Sequence, residues 1–315
     1  MKHNISILIP AYNESESIDE LYKQLIASIH AMQANGMVDQ YEIVFVNDGS
    51  KDDTEQVIEQ LHLHDSSVHM VSFRKNFGKS PALDAGFKHV NGDIVFTMDS
   101  DLQDDPAELP RFIEKIDEGY DVVVGWKFNR LDPAEKRLPS KLFNKVTSYL
   151  SGVKLHDHDC GFKAFRREVV DSIDVYGELH RYIPVLAHRM GFRITEIKVE
   201  HHKREFGHSK YGMERYLRGL FDSLTTTFLL HYGDRPMYFF GKVGLAAFLG
   251  GAFVCIYLTA LWLAGHSIGN RPLLVLGVLC IILGIQSIAT GFIGNLLVDI
   301  THREHYTENH IKKII

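Results

Sequence analysis

The chain is poor in cysteine: of its 315 residues only Cys160, Cys255 and Cys280 carry a thiol, and the last two lie in apolar runs. No spacing among them suggests a disulfide framework or a zinc site, so a reducing, cytoplasmic setting is expected for the soluble part. Blocks of basic residues are absent, the net charge of -6 is mild, and no nucleic-acid motif is present. A DNA or RNA partner is therefore not expected. No signal peptide is expected, because the first apolar run, Ile5 to Ile9, is too short for an h-region and reads as a buried strand. Histidines are scattered; His62 with His64, or His201 with His202, could touch a metal, but solvated surface is the preferred reading for each. Also missing is G-x-G-x-x-G after that first strand, where Pro10-Ala11-Tyr12-Asn13-Glu14 stands instead. This argues against a dehydrogenase.

What is present is a regular alternation. Ile5–Ile9, Tyr41–Val46, Val68–Phe73, Asp93–Met98 and Tyr120–Val124 read as strands. Helical stretches lie between them: one after Ser15, which can cap it, one over Asp52–Leu63, one over Ser80–Val90, and one opened by Pro106. The alternation predicts an α/β fold whose mostly parallel sheet has helices on both faces, with ligands at the carboxyl ends of the strands. Glu135–Leu150 is expected to be helical. Gly161–Arg166, Arg193–Val199 and a helix-like His180–Met190 complete the soluble part.

Charge then disappears. Ala246–Leu263 and Leu273–Val298 contain no Asp, Glu, Lys or Arg, and the apolar run around the first begins at Phe239. Both are long enough to cross a membrane, and the short connection Gly265–Pro272 makes them a hairpin. Lys242 can snorkel to the interface. The connection carries Arg271 and His266, while Arg235, Lys242, Arg303, Lys312 and Lys313 flank the pair, so both termini and the soluble domain are expected on the cytoplasmic side of the inner membrane. Tyr211–Leu230 reads as an amphipathic segment lying along the membrane surface. The expected organisation is a catalytic domain over 1–210, a juxtamembrane segment over 211–237, spans over 238–265 and 272–300, and a cytoplasmic tail over 301–315. Gly250-Gly251, and Gly291 with Gly294, allow close helix packing, which leaves room for a homo-oligomer.

Three polar motifs sit at strand ends. The first is Pro10 to Glu14. The second, Asn47-Asp48-Gly49-Ser50, puts a carboxylate where a base or ribose can bond it; alone it reads as a helix-opening turn. The third is Asp99-Ser100-Asp101-Leu102-Gln103-Asp104. Carboxylates two apart at a strand end can converge on a hard cation such as Mg2+ or Mn2+. A lone D-x-D is a weak signal, and its position at a strand end raises it.

Together these motifs resemble glycosyltransferase family 2 and its GT-A (Rossmann-like) fold, here followed by a two-helix transmembrane hairpin. The narrower resemblance, over almost the whole chain, is to the polyprenyl-phosphate glycosyltransferases. It implies that Pro10, Tyr12, Glu14 and Asp48 surround the base and ribose, and that Asp99, Asp101 and Gln103 hold the metal and diphosphate. Arg74-Lys75-Asn76-Phe77-Gly78-Lys79 matches the family's R-N-x-G-K-like loop, with Lys75 as an extra residue and Lys79 at the nucleotide-sugar. Asp159-Cys160-Gly161-Phe162-Lys163 matches the D-x-G-F-K block beside the sugar. Arg204, Gly207, Ser209, Lys210 and Tyr211 match the R-x-x-G-x-S-K-Y loop over the donor. Asp101, Asp159 and Arg204 are the implied catalytic residues. Many relatives have Gly-x-Arg after the fifth strand; Gly125-Trp126-Lys127 has lysine, which leaves Arg130 and Arg137, with Arg204, Ser209 and Lys210, for the acceptor phosphate.

The implied reaction is inverting transfer from a nucleotide-sugar, UDP-glucose or UDP-N-acetylglucosamine first and GDP-mannose or UDP-linked aminosugars next. The implied acceptor is undecaprenyl phosphate in the lipid bilayer, and the implied purpose is cell-envelope glycan modification. A processive polysaccharide synthase would carry Q-x-x-R-W, and neither Trp126 nor Trp262 follows Gln-x-x-Arg. A non-catalytic scaffold of the same fold would have lost Asp99, Asp101 or Arg204.

Overall fold

The computed structural model describes residues 2–128, 144, 147–148, 151–177, 179–202, 225, 228, 232–233, 235–268 and 272–305. It divides into two compact units, Met1–Ser223 and Leu224–Ile315. The stretches expected as a helix over Glu135–Leu150 and as an amphipathic segment over Tyr211–Leu230 fall mostly outside the described residues.

The first unit is built on a seven-stranded sheet. Its strands are β1 (His3–Ala11), β2 (Val38–Asn47), β3 (Val68–Ser72), β4 (Ile94–Thr97), β5 (Val122–Lys127), β6 (Lys163–Arg166) and β7 (Ile194–Val199), in the order β3-β2-β1-β4-β6-β5-β7. Ile5 to Leu8 and Ile43 to Val46 run as unbroken buried stretches, the mark of strands covered on both faces. All pairings are parallel except those of β6, which runs antiparallel between β4 and β5. That reversal returns the D-C-G-F-K block to the end of the sheet where the other motifs lie.

The helices α1 (Ile18–Ala34), α2 (Thr54–His64), α3 (Lys79–Phe87) and α4 (Leu109–Asp117) follow the expected alternation. In α1 the buried Ile18, Leu21, Leu25, Ile29 and Met32 form one helical stripe. Ser15 does not cap it. The helix starts three residues later, with Ser17 at the N-cap, and the Ser15 amide donates to Asp52 Oδ2 at 3.2 Å. Pro106 opens a short 3-10 turn, Pro106–Glu108, before α4. Leu109, Phe112, Ile113 and Ile116 turn inward from α4, and Phe112 packs on Phe162 with ring centroids 4.4 Å apart. Two short helices, α5 (Arg167–Val170) and α6 (Ile183–Arg189), complete this unit's described helices, with a 3-10 turn at Leu179–Arg181.

The second unit holds α7 (Pro236–Leu263) and α8 (Pro272–His305). Apolar stretches of 28 and 27 residues in them reach about 40 Å at about 1.5 Å per residue, beyond the roughly 30 Å of a hydrocarbon core. Both helices are long and apolar enough to cross a membrane, and only 17% and 11% of their most apolar windows are buried. They meet through glycine. A Cβ on Gly244 would lie 2.6 Å from the Gly284 carbonyl oxygen, and one on Gly251 would lie 2.5 Å from that of Gly277. Gly291 and Gly294 close on Met237 and Pro236, whereas Gly250 meets nothing within 4 Å. Ser287 donates to the Phe240 carbonyl at 2.9 Å, and the Met237 amide donates to Asn295 Oδ1 at 3.2 Å.

Candidate active site

The ends of β1 and β2 are laced together. Asn13 and Glu14 donate their amides to Ser50 Oγ and Thr54 Oγ1, both at 2.9 Å, and the Lys51 amide returns to Asn13 Oδ1 at 2.7 Å. Pro10 lines the cleft described below, and Tyr12 and Glu14 are half-buried on the same loop.

Asp48 turns inward. It is 4% exposed and accepts from Asn76 Nδ2 at 2.8 Å and from the Phe77 and Gly78 amides at 2.7 and 2.9 Å. Burial raises its pKa, and the two amides oppose that. In this structure both its oxygens are bonded to the Arg74–Lys79 loop. Gly49, at φ +65°, admits the same loop, because a Cβ there would lie 2.3 Å from the Lys75 carbonyl carbon. The loop delivers Lys79 at the head of α3.

Lys79 forms an ion pair with Asp99, at the end of β4. Burial opposes the charge of Asp99, yet Lys79, Lys127 and Lys163 outweigh it and hold the carboxyl well below the usual carboxylate range. Gly161 makes room for this carboxylate: a Cβ there would lie 2.4 Å from Asp99 Oδ2. Thr97 Oγ1 donates to the Gly161 carbonyl at 2.8 Å and so ties the D-C-G-F-K block to β4. From that block Lys163 is buried and bonds the Cys160 carbonyl. Burial lowers its pKa, and neighbouring Lys79 adds to the effect. Asp159 pairs with Arg181 at 3.1 Å. Pro10, Lys79, Asp99, Asp159, Lys163 and His180 line one small cleft of about 10 Å³, the room of a single water or hydroxyl group.

Asp101 is half-buried, and its Oδ1 accepts from the Gln103 amide at 3.2 Å. Leu102 between them has φ +59°, and Asn13 has φ +56°; among the described residues they are the positive-φ non-glycine residues, and both sit in strand-end motifs. The Gln103 carbonyl accepts from the His202 amide at 3.0 Å, and Asp104 bridges to His201. Next to them Asp105, Glu200 and His202 offer ligand atoms within 4.8 Å of one another, the one such group among the described residues. Oxygen donors of Asp101 and Gln103 beside this group suit a hard divalent cation. His202 is exposed, as a surface residue would be, whereas His201, bridged to Asp104, is buried and departs from the surface reading.

Lys127 is also redefined. It pairs at 2.8 Å with Asp104, whose side chain is fully buried. Burial opposes its charge, but Asp104 more than offsets this and raises its pKa. It is thus engaged within the fold and not presented to an acceptor. Arg130, Arg137, Arg204, Gly207, Ser209, Lys210 and Tyr211 lie outside the described residues. The paired partners that sequence reasoning missed, Asp104 with Lys127 and Gln103 with His202, are distant in the chain and carry no local motif.

The profile of glycosyl transferase family 2 matches residues 6–174. Dodecaprenyl-phosphate galacturonate synthase of Rhizobium johnstonii is 32% identical over 99% of this chain and 92% of its own length. Undecaprenyl-phosphate 4-deoxy-4-formamido-L-arabinose transferase of Shewanella sediminis is 36% identical over 97% of this chain and 93% of its own. Among solved structures, glucosyl-3-phosphoglycerate synthase from Mycobacterium tuberculosis, in complex with Mn2+, UDP and phosphoglyceric acid, superposes with a TM-score of 0.54 at 22% identity. That match covers 71% of this chain and 78% of that one, and it supports the expected GT-A architecture of the sheet unit.

Proposed function

This chain belongs to glycosyl transferase family 2, and we propose that it moves a sugar from a nucleotide-sugar onto the phosphate of a polyprenyl lipid. The observation that carries the acceptor is coverage: two relatives named for polyprenyl-phosphate transfer align over nearly the whole chain, apolar hairpin included. On this reading α7 and α8 cross the cell membrane, with the N-terminal unit and both termini in the cytoplasm. The divisions 1–210, 211–237, 238–265, 272–300 and 301–315 describe its working parts.

The reaction is a single inverting displacement at the anomeric carbon, with the nucleoside diphosphate leaving. A phosphate monoester has a second pKa of about 6 and arrives largely ionised, so no strong base is needed. Asp159, braced by Arg181, orients the sugar. Lys79 and Lys163 bring positive charge to the diphosphate side of the cleft. Asp48 acts by setting the loop that carries Lys79, while Pro10, Tyr12 and Glu14 flank the nucleotide. Asp101 and Gln103, with Asp99 nearby and His202 alongside, would hold Mg2+ or Mn2+, whose charge offsets that of the leaving diphosphate. Arg130, Arg137, Arg204, Ser209 and Lys210 seat the acceptor phosphate and reduce its repulsion from the donor.

The relatives' names carry galacturonate and formamido-arabinose, so nucleotide-linked forms of these join UDP-glucose and UDP-N-acetylglucosamine as donors to try. Full-length protein, undecaprenyl phosphate and either cation are incubated with each donor, and the lipid is weighed by mass spectrometry. One donor is expected to add its glycosyl mass. No product from any donor overturns the reading. Asp101→Asn is expected to cut turnover by at least about 100-fold; near-normal turnover in a folded Asp101→Asn protein removes the metal role.

A further inference from the structure

His180 lies in the 3-10 turn Leu179–Arg181 and lines the cleft with Lys79, Asp99, Asp159 and Lys163. Its backbone N–H donates to Ser80 Oγ at 3.1 Å, and its Nδ1 stands 2.8 Å from that same oxygen. Ser80 is 1% exposed. A hydroxyl has one proton to give, and among the described residues Nδ1 is the acceptor placed for it. The opposite tautomer would leave a buried hydroxyl proton without a partner. Nδ1 is therefore the acceptor, and the ring proton sits on Nε2. Burial, with Lys79 adding to it, lowers the His180 pKa to about 3, so the ring stays neutral at working pH.

We propose that His180 is a specificity-determining residue whose fixed Nε2–H donates to a hydroxyl oxygen of the donor's sugar. The proposal rests on the nucleotide-sugar transferase reading above. Lys79, Lys163 and Arg181 already supply charge for phosphate; a neutral donor adds none and suits a neutral acceptor. Asp159 on the same cleft would repel a phosphate oxygen, whereas a hydroxyl can accept from His180 and donate to Asp159. Such two-sided reading distinguishes a hydroxyl from a deoxy position.

The test is calorimetry on the full-length protein with Mn2+, using UDP, UDP-glucose, UDP-galacturonate, UDP-N-acetylglucosamine, GDP and GDP-mannose as probes. Wild type is expected to bind one nucleotide-sugar more tightly than its nucleotide alone. In His180→Ala, affinity for the nucleotide stays within about twofold while affinity for that nucleotide-sugar falls about tenfold. Ser80→Ala, which releases the tautomer, should lose about threefold on the nucleotide-sugar only, and His180→Gln, which keeps an N–H, should recover part of the loss. Unchanged nucleotide-sugar affinity in His180→Ala overturns the role. An equal fall for nucleotide and nucleotide-sugar, in both His180→Ala and His180→Gln, also overturns it, because the residue would then serve the diphosphate or the fold. Wild type that binds none of the nucleotide-sugars sinks the transferase reading itself, and this role with it.

Discussion

The two units use large side chains and glycine in opposite ways. In the sheet unit Phe45, Phe96, Phe112, Phe162 and Phe165 are fully buried, and glycines such as Gly49 and Gly161 open space for a loop or a carboxylate. In the hairpin Phe253, Ile256, Leu263 and Val275 face outward, at 69% to 74% exposed, and the interior is lined by Gly244, Gly251, Gly277, Gly284 and Gly291 at heptad spacing. Water drives the first arrangement, since burying a large apolar side chain is worth about 1.5–3 kcal/mol. Lipid removes that incentive, and close backbone contact is what remains to hold helices together. The outward apolar surface of α7 and α8 is thus informative in itself: it suits a hydrocarbon solvent.

Breaking one unit without the other tests this contrast. The largest effect is expected at Gly49→Ala. It combines an alanine at φ +65° with a clash against the Lys75 backbone, and should cost about 3 kcal/mol or more. Chemical denaturation followed by near-UV circular dichroism should show it, with hairpin helicity unchanged. Next is Gly284→Leu, which must push away the Gly244 carbonyl and the Phe248 amide, each 2.7 Å from a Cβ at 284. Disulfide yield between Phe240→Cys and Ser287→Cys, in a background without native cysteines, should fall severalfold while nucleotide binding survives.

Acid sharpens the same division. Burial, with Lys163 adding to it, lowers His158 to about 4, and burial with Lys79 lowers His180 to about 3. Both values lie below the unfolded value of about 6.5, so the unfolded chain takes up protons first. The contribution is full above about pH 6.5 and is lost as pH falls towards 4 for His158 and 3 for His180. The thermal transition of the sheet unit should drop over that window; the hairpin, whose packed stretches carry no Asp or Glu, should not follow. The smallest effect separates two neighbours. Gly251→Ala meets the Gly277 carbonyl at 2.5 Å and should loosen the helix pair, while Gly250→Ala meets nothing and should be neutral. Equal effects in a detergent-unfolding assay would contradict the packing described.

Local patterns account for what the sequence revealed. Strand runs, the α1 stripe, the proline at Pro106 and the two uncharged stretches are all readable within a dozen residues. The same holds for the motif loops at the strand ends. Both glycines of the Gly250-Gly251 pair looked equally suited to packing; only the rotation of α7 shows that one faces α8. The antiparallel β6 was not legible because strand direction depends on which neighbours it joins. Nothing in Asn47-Asp48-Gly49-Ser50 announces that Asp48 also accepts from amides about thirty positions later. The Ser80–His180 contact spans 100 positions, and no short motif carries it.

Leu102 adds a consequence for timing. A leucine at φ +59° is held against its own preference by about 1–2 kcal/mol, and burial of its side chain, 7% exposed, offsets that cost. The stretch from Asp101 to Gln103 therefore has one way to sit. Its disorder is removed when the chain folds, so on the proposed function a donor meets a loop already set, and its binding affinity is not spent on ordering that turn.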